Sequence, residues 1–331
     1  MVDGSASAGR IDSDRDNFLT SYSAKQYLQP YLGAYLRHAS IRLFSLAQIG
    51  RLMSIASALT STEINRATAN TSRSNSLDTA EKIAIFAHYS DDGQISESDA
   101  YFISSLREAG FSVVVSSTCT SDPLIHQAIW DQWNDRFDGL ITRPNLGFDF
   151  GSWSAALLTI NLDSEFLQQI LLVNNSMYGP LFPLRPMIEE LASRGDFFGL
   201  TASQEFSPHL QSYFLGFNRV VIASPAFRQF WGGKFGGRSK WSTIWAHELT
   251  WERFFVKRGF RSVVLVPETR NFPRNPLTFL WKELVAEGFP FIKKSLFTHN
   301  YDSIDMSDWD SYLRKECPDF DTRLIVAHTT G

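Results

Sequence analysis

Three polar clusters hold the side chains best suited to chemistry. His88, Tyr89, Ser90, Asp91 and Asp92 close the first. Arg143, Pro144, Asn145, Leu146, Gly147, Phe148, Asp149, Phe150 and Gly151 form the second. Asn174, Asn175, Ser176, Met177, Tyr178, Gly179 and Pro180 form the third. Each follows a short apolar run, so each is predicted at a strand end. Carboxylates, amides, an imidazole and a guanidinium at three strand ends suit the binding of a polar ligand in one cleft. The Gly147-x-x-x-Gly151 turn opens a predicted helix whose N–H groups could face a phosphate. Turn geometry alone also accounts for both glycines, and their spacing fits neither the P-loop nor the dinucleotide fingerprint. His247–Glu248 lacks the second histidine of a zinc-protease helix, no cysteine pair suits zinc, and no Gly-x-Ser-x-Gly elbow occurs.

The elements that must position these clusters alternate from about residue 81. Strands are predicted at 82–89 (KIAIFAHY), 111–118, 139–143, 169–174 (QILLVN) and 197–201. Helices are predicted at 97–110, 124–137, 152–160 and 186–194. Repeated β-α units imply a mainly parallel sheet with helices on both faces. The later part reads as strand pairing in a mixed sheet at 211–222, helices near 226–231 and 244–258, a strand at 262–267, and a helix opened by Asn275–Pro276 and running to about 287. In such a sheet, ligands bind beyond the carboxyl ends of the strands.

Composition narrows the class. With 44% hydrophobic and 20% charged residues the chain can build a core, which excludes a wholly disordered protein. A formal charge of −4 gives no global field for nucleic acid. Cys119 and Cys317 are too few for a disulfide scaffold, which favours a reducing, cytoplasmic setting. Aromatics at 14% suggest a ring-rich core, with some rings available to stack on sugars or bases.

Outside the alternating region the chain reads differently. Residues 1–20 resemble a flexible tail without the apolar stretch of a signal peptide. Residues 21–60 form a predicted helical segment whose full charges, Lys25, Arg37, Arg42 and Arg51, are all basic. Such a segment could lie on an anionic membrane surface or pack on protein. Residues 61–80, rich in Ser, Thr and Asn, read as a linker, and 301–331 as a C-terminal extension.

The segments IFAHY (85–89), RPNLGFDFGSW (143–153), LLVNNSMYGPL (171–181), FFGLT (197–201), HLQSYFLGF (209–217), NPLTFLWKEL (275–284) and GFPFIKKSLF (288–297) resemble the rhamnan synthesis protein F family, over about residues 82–300. That resemblance implies an α/β fold of the GT-A-like, Rossmann-related type, with a mainly parallel or mixed sheet flanked by helices and an N-terminal helical extension. The glycosyltransferase domain would span 81–300. It implies an inverting transferase of bacterial surface polysaccharide synthesis with a nucleotide-sugar donor, dTDP-rhamnose favoured, and a glycan or lipid-linked acceptor. The setting would be the cytoplasm, with peripheral attachment to the inner membrane. No organic cofactor and no nucleic acid are implied. The competing reading is a weak or inactive sugar-nucleotide-binding scaffold protein.

The resemblance also distributes roles. Glu248, in WAHELTWERF, would be the general base, with Glu252 the alternate. Asp149 would hold donor-sugar hydroxyls. His88, Tyr89, Arg143, Asn145, Gly147, Asn174, Asn175 and Ser176 would bind the nucleotide sugar, Arg143 through its phosphates. His209, Gln211 and Tyr213 alternate, so a strand would align them for substrate or acceptor contact. Lys293 and Lys294 would close over the substrate. The fold type carries an Asp-x-Asp motif that holds Mg2+ or Mn2+, and this sequence has Asn175 where the family pattern has an acid, which puts metal dependence in question.

Overall fold

The structure is a computed structural model that describes residues 69–90, 94–119, 122–204, 207–233, 235 and 247–329. The tail at 1–20, the helical segment at 21–60 and residues 61–68 of the linker lie outside the described residues. Strands are β1 Asn70–Arg73, β2 Lys82–His88, β3 Ser112–Ser117, β4 Gly139–Thr142, β5 Gln169–Asn174, β6 Met177–Tyr178, β7 Phe197–Ser203, β8 His209–Leu210, β9 Phe214–Asn218, β10 Ser262–Val266 and β11 Ile292–Lys293. Helices are α1 Glu97–Glu108, α2 Pro123–Trp133, α3 Phe148–Leu157, α4 Leu184–Arg194, α5 Arg219–Ile222, α6 Pro225–Trp231, α7 Trp251–Val256, α8 Pro276–Phe279, α9 Trp281–Ala286, α10 Ser295–Thr298, α11 Trp309–Glu316 and α12 Arg323–Thr329.

Among the described residues, nine strands form a mixed α/β sheet in the order β1-β4-β3-β2-β5-β9-β7-β10, with β8 on β7. The run β4-β3-β2-β5 is parallel, as is β7-β10. β9 runs antiparallel between β5 and β7. The chain steps outward from β2 through β3 to β4 and then returns to place β5 on the other side of β2. The strand order reverses there, which makes the β2–β5 boundary a topological switch point.

Period-two alternation explains the layers. On β2, Ile83, Ile85 and Ala87 enter one apolar cluster while Ala84 and Phe86 enter the other; on β5, Ile170 and Leu172 oppose Leu171 and Val173 in the same way. Strands buried on both faces need continuous apolar runs, as KIAIFAH and QILLVN are. The aromatic excess is shared between these two clusters, and in the first the rings pack edge to face. The Phe217 ring lies 5.3 Å from Phe227, 5.6 Å from Phe255 and 5.9 Å from Trp251.

Several expectations shift. Residues 70–73 are strand, not linker: β1 pairs antiparallel with β4 and closes that edge of the sheet. The stretch 211–222 is not one strand. β9 ends at Asn218, whose Nδ2 donates to the carbonyls of Ala192 and Gly195, and the chain then turns into α5. Residues 301–329, read as a C-terminal extension, contribute to a buried cluster. Leu313, Cys317, Phe320 and Ile325 from α11, α12 and their link join Tyr178 and Leu181 in a third buried cluster. Both cysteines are free thiols.

Truncating a ring at the centre of the first cluster loses apolar burial and leaves a void. Phe217→Ala should lower unfolding free energy by about 3–5 kcal/mol, with an unchanged denaturant slope, as read by urea titration.

Candidate functional site at the switch point

β2 and β5 stay in register as far as Ala87 opposite Asn174. Beyond that pair, Asn175–Ser176 leave β5 beside Tyr89, while His88, the last residue of β2, stays paired with Ser117 of β3. The Asn175 amide bonds the Tyr89 backbone. Its Oδ1 accepts from Tyr89 N–H at 3.3 Å and its Nδ2 donates to the Tyr89 carbonyl at 2.9 Å. The same Nδ2 lies 3.4 Å from Asp99 Oδ2. An ionised carboxylate could not donate to that carbonyl, and it would face Asp99. An amide at 175 is what this geometry requires, and its oxygen is turned to the backbone.

Asp99 comes from the first turn of α1, where Ser96 Oγ accepts from the Asp99 N–H at 3.1 Å and caps the helix. Its side chain is 5% exposed. Lys294 Nζ donates to Asp99 Oδ1 at 2.8 Å, and His88 Nε2 lies 3.7 Å from Asp99 Oδ2. Burial alone would raise the Asp99 carboxyl, but the Lys294 ammonium and His88 outweigh it and hold it below the usual carboxylate range. His88 Nδ1 lies 2.9 Å from Ser117 Oγ, at the end of β3. Tyr178 lies beneath the ammonium, 5.2 Å from Nζ to ring centroid. Burial, and then the Asp99 charge, push its phenol up, so it stays neutral.

A second string of contacts runs from the other side of β5. Asn174 Nδ2 donates to Asp149 Oδ2 at 2.8 Å, and Asn174 Oδ1 accepts from Ser176 N–H at 3.1 Å and Ser176 Oγ at 2.6 Å. Asn174 N–H donates to the Tyr213 carbonyl at 3.2 Å. Next to Tyr213, Ser212 Oγ donates to Glu248 Oε1 at 2.9 Å. His247, beside Glu248, has its ring 5.7 Å from Phe150, beside Asp149. Asp149, Asn174, Ser176, Ser212 and Glu248 therefore gather at the carboxyl edge of β5.

Residues 118–331, more than half of the chain, match the rhamnan synthesis protein F family. The chain belongs to that family. Virulence protein VirA of Vibrio anguillarum is 32% identical over 196 residues, covering 49% of this chain and 63% of that protein. An uncharacterized protein of Sinorhizobium fredii, y4gN, is 28% identical over 97 residues, or 28% of this chain and 25% of that protein. The chain thus spans less than two thirds of the length of these curated relatives. The rhamnan synthesis protein F match begins later than the motifs at 82–117 suggested and takes in 301–331, consistent with the packing of α11 and α12 into the third cluster.

The remaining expected site residues of this rhamnan synthesis protein F member fall into two groups. His88, Asn174, Asn175, Ser176 and Lys294 lie at the ends of β2 and β5 with Tyr89 half exposed beside them, Asp149 is bonded by Asn174, and Glu248 is bonded by Ser212. Asn145 is exposed on the turn before α3, and Lys293 pairs with Met177 in the β6–β11 ribbon. The others are turned inward. Arg143 is fully buried, donates to Ser152 Oγ at 3.1 Å and to the Leu146 carbonyl, and burial brings its pKa down to about 10. It braces the turn from beneath and does not reach out to phosphates. Gly147 has φ +77, and a Cβ there would meet the Phe235 carbonyl oxygen at 1.6 Å, so turn geometry accounts for it.

Glu252 is also committed. It bonds Ser262 Oγ and Arg270 Nη2, each at 2.8 Å, and the Leu210 N–H at 2.9 Å. His209, Gln211 and Tyr213 do not share a strand, because β8 ends at Leu210 and the chain turns before β9. Gln211 Oε1 and the Tyr213 hydroxyl instead both meet Thr201 Oγ1, at 2.8 and 2.9 Å. His209 Nδ1 bonds the Ser207 carbonyl at 2.8 Å. Asp99 is the site residue that the residue-type reading missed. Its one signal was Ser96 three residues earlier, which marks a helix cap and not a site. Among the described residues, no group of three or more His, Cys, Asp or Glu side chains could hold a metal ion.

His247 supplies a pH test. Burial against Phe150 and Phe235 lowers its pKa to about 4. The unfolded chain takes up this proton near pH 6.5 and the folded protein only near 4. Stability should therefore fall between those values by up to about 3 kcal/mol, and be complete above them. His247→Phe should flatten that part of the Tm-against-pH curve; an unchanged curve would contradict the burial.

Proposed function

We propose that this protein serves polysaccharide synthesis as an inverting glycosyltransferase, with the switch-point crevice as its donor site. The carrying observation is that Asp149 is bonded by Asn174 at the carboxyl end of β5, while Glu248 is held by Ser212, next to the Tyr213 carbonyl that accepts from the Asn174 N–H. Membership of the rhamnan synthesis protein F family supports a polymer of rhamnose as the product class and dTDP-rhamnose as the first donor to try.

In this reading Glu248 takes the proton of the acceptor hydroxyl as that oxygen bonds to the sugar's anomeric carbon. The bond from that carbon to the diphosphate oxygen breaks, and the nucleoside diphosphate leaves with the electron pair. Ser212 holds Glu248 Oε1 and so fixes the carboxylate's direction. Asp149, anchored by Asn174, accepts from donor-sugar hydroxyls. Tyr89 and His88 border the nucleotide. No step is routed through a metal ion. Among the described residues no helix is long and apolar enough to cross a membrane. The lipid-linked or glycan acceptor, the cytoplasmic setting and the peripheral attachment through residues 21–60 belong to this proposal.

The test is release of dTDP from dTDP-rhamnose by the full chain with a rhamnan or lipid-linked acceptor. Glu248→Gln should lower kcat by about 10²–10⁴-fold while leaving donor binding intact. Full activity in that variant removes the base assignment. Donor binding with no turnover in the unaltered protein would favour the scaffold reading.

A further inference from the structure

The leaving diphosphate needs a counter-charge, and the usual sources are missing from the described part of the crevice. Arg143 is buried under its turn. The Asn175 oxygen is taken by the Tyr89 N–H. The N-terminus of α1, the first helix after β2, carries Glu97 and Asp99 in its first turn, so its dipole is already answered by carboxylates.

Among the described residues, one cation remains at the switch point. Lys294 is held there twice, by its backbone N–H on the Ser176 carbonyl at 2.9 Å and by Nζ on Asp99 Oδ1 at 2.8 Å. Its side chain is 10% exposed. An ammonium has three N–H donors. Asp99 takes one, and the Tyr178 ring lies on another side at 5.2 Å. Donor capacity is therefore left on a charge that is desolvated and fixed in direction. A donor held in one direction by its ion pair presents its remaining N–H at a fixed point, beside the Asp99 carboxylate. Asp99 sets the Nζ position from behind, as Asn175 Nδ2 and His88 in turn crowd its other oxygen.

We infer that Lys294 Nζ is the diphosphate subsite of the crevice, with Asp99 as its positioning residue, and that it supplies the counter-charge without a divalent ion. The inference rests on the nucleotide-sugar reading above and names the group that meets the phosphates. Lys293, in the β6–β11 ribbon, is the neighbouring cation that is not aimed by Asp99.

The experiment is calorimetric titration of dTDP into the full chain in EDTA. Removing Lys294 alone would leave Asp99 buried without its partner and could unfold the protein, so the charge is removed as a pair. The Asp99→Asn/Lys294→Met double variant should keep its thermal transition and weaken dTDP at least about tenfold. Lys294→Arg should recover most of the affinity, and Lys257→Met, at an exposed lysine after α7, should change it less than about threefold. Unchanged dTDP affinity in the folded double variant overturns the subsite while leaving the transferase reading intact. Binding that appears only with Mg2+ or Mn2+ also overturns it. If dTDP and dTDP-rhamnose do not bind the unaltered protein with or without those ions, the nucleotide-sugar reading itself fails.

Discussion

The buried contact between Asp99 and Lys294 ties together parts of the chain 195 residues apart. One partner rises from the helix after the central strand. The other comes from the ribbon that opens the C-terminal segment. Between them lie the ends of β2 and β5, with the Asn175 amide against one face of the carboxylate and the Tyr178 ring beneath the ammonium. Breaking such a pair by removing one member leaves a charge without water or a counter-ion, at a cost of about 3–5 kcal/mol. The pair therefore restrains where α1, the β5–β6 turn and β11 can sit, and with them the floor of the crevice.

From that floor the arrangement of the rest follows. The parallel strands deliver their carboxyl ends to one edge of the sheet. The strand order reverses between β2 and β5, the place where an open α/β sheet takes its ligands. There Asn175 bonds both polar groups of the Tyr89 backbone, which leaves Tyr89 half exposed at the rim. Asn174 does the corresponding task on the other side, with its oxygen on Ser176 and its amide nitrogen on Asp149. The two adjacent asparagines thus bond in different directions, Asn175 to the Tyr89 backbone and Asn174 to Asp149 and Ser176.

Much of the scaffold could be read in the residues. QILLVN and KIAIFAH are apolar on both parities, and strands buried on both faces must be so; β5 covers the expected residues 169–174. The three polar clusters fell at strand ends because the chain must leave a parallel sheet in polar turns. What residue types did not show was direction. Arg143 follows β4 as a surface cation would, yet a tight turn at Gly147 and Gly151 folds over it and its donors satisfy Ser152 and Leu146. Glu252 looks equivalent to Glu248 one turn on, but β8 and Arg270 claim it. Asp99 carries no local motif beyond its cap, and only the long return of the C-terminal ribbon makes it a site residue. The same return explains why 301–329 packs as core, since the apolar residues of α11 and α12 cover Tyr178 and Leu181.

Hydrogen–deuterium exchange of the full chain with and without dTDP-rhamnose tests the placement of the site most directly. Slowed exchange should concentrate in peptides spanning 87–90, 145–150, 174–177 and 247–250. Protection confined to other surfaces, such as the side of α1 facing α4, with these four segments unchanged under saturating ligand, would contradict the account.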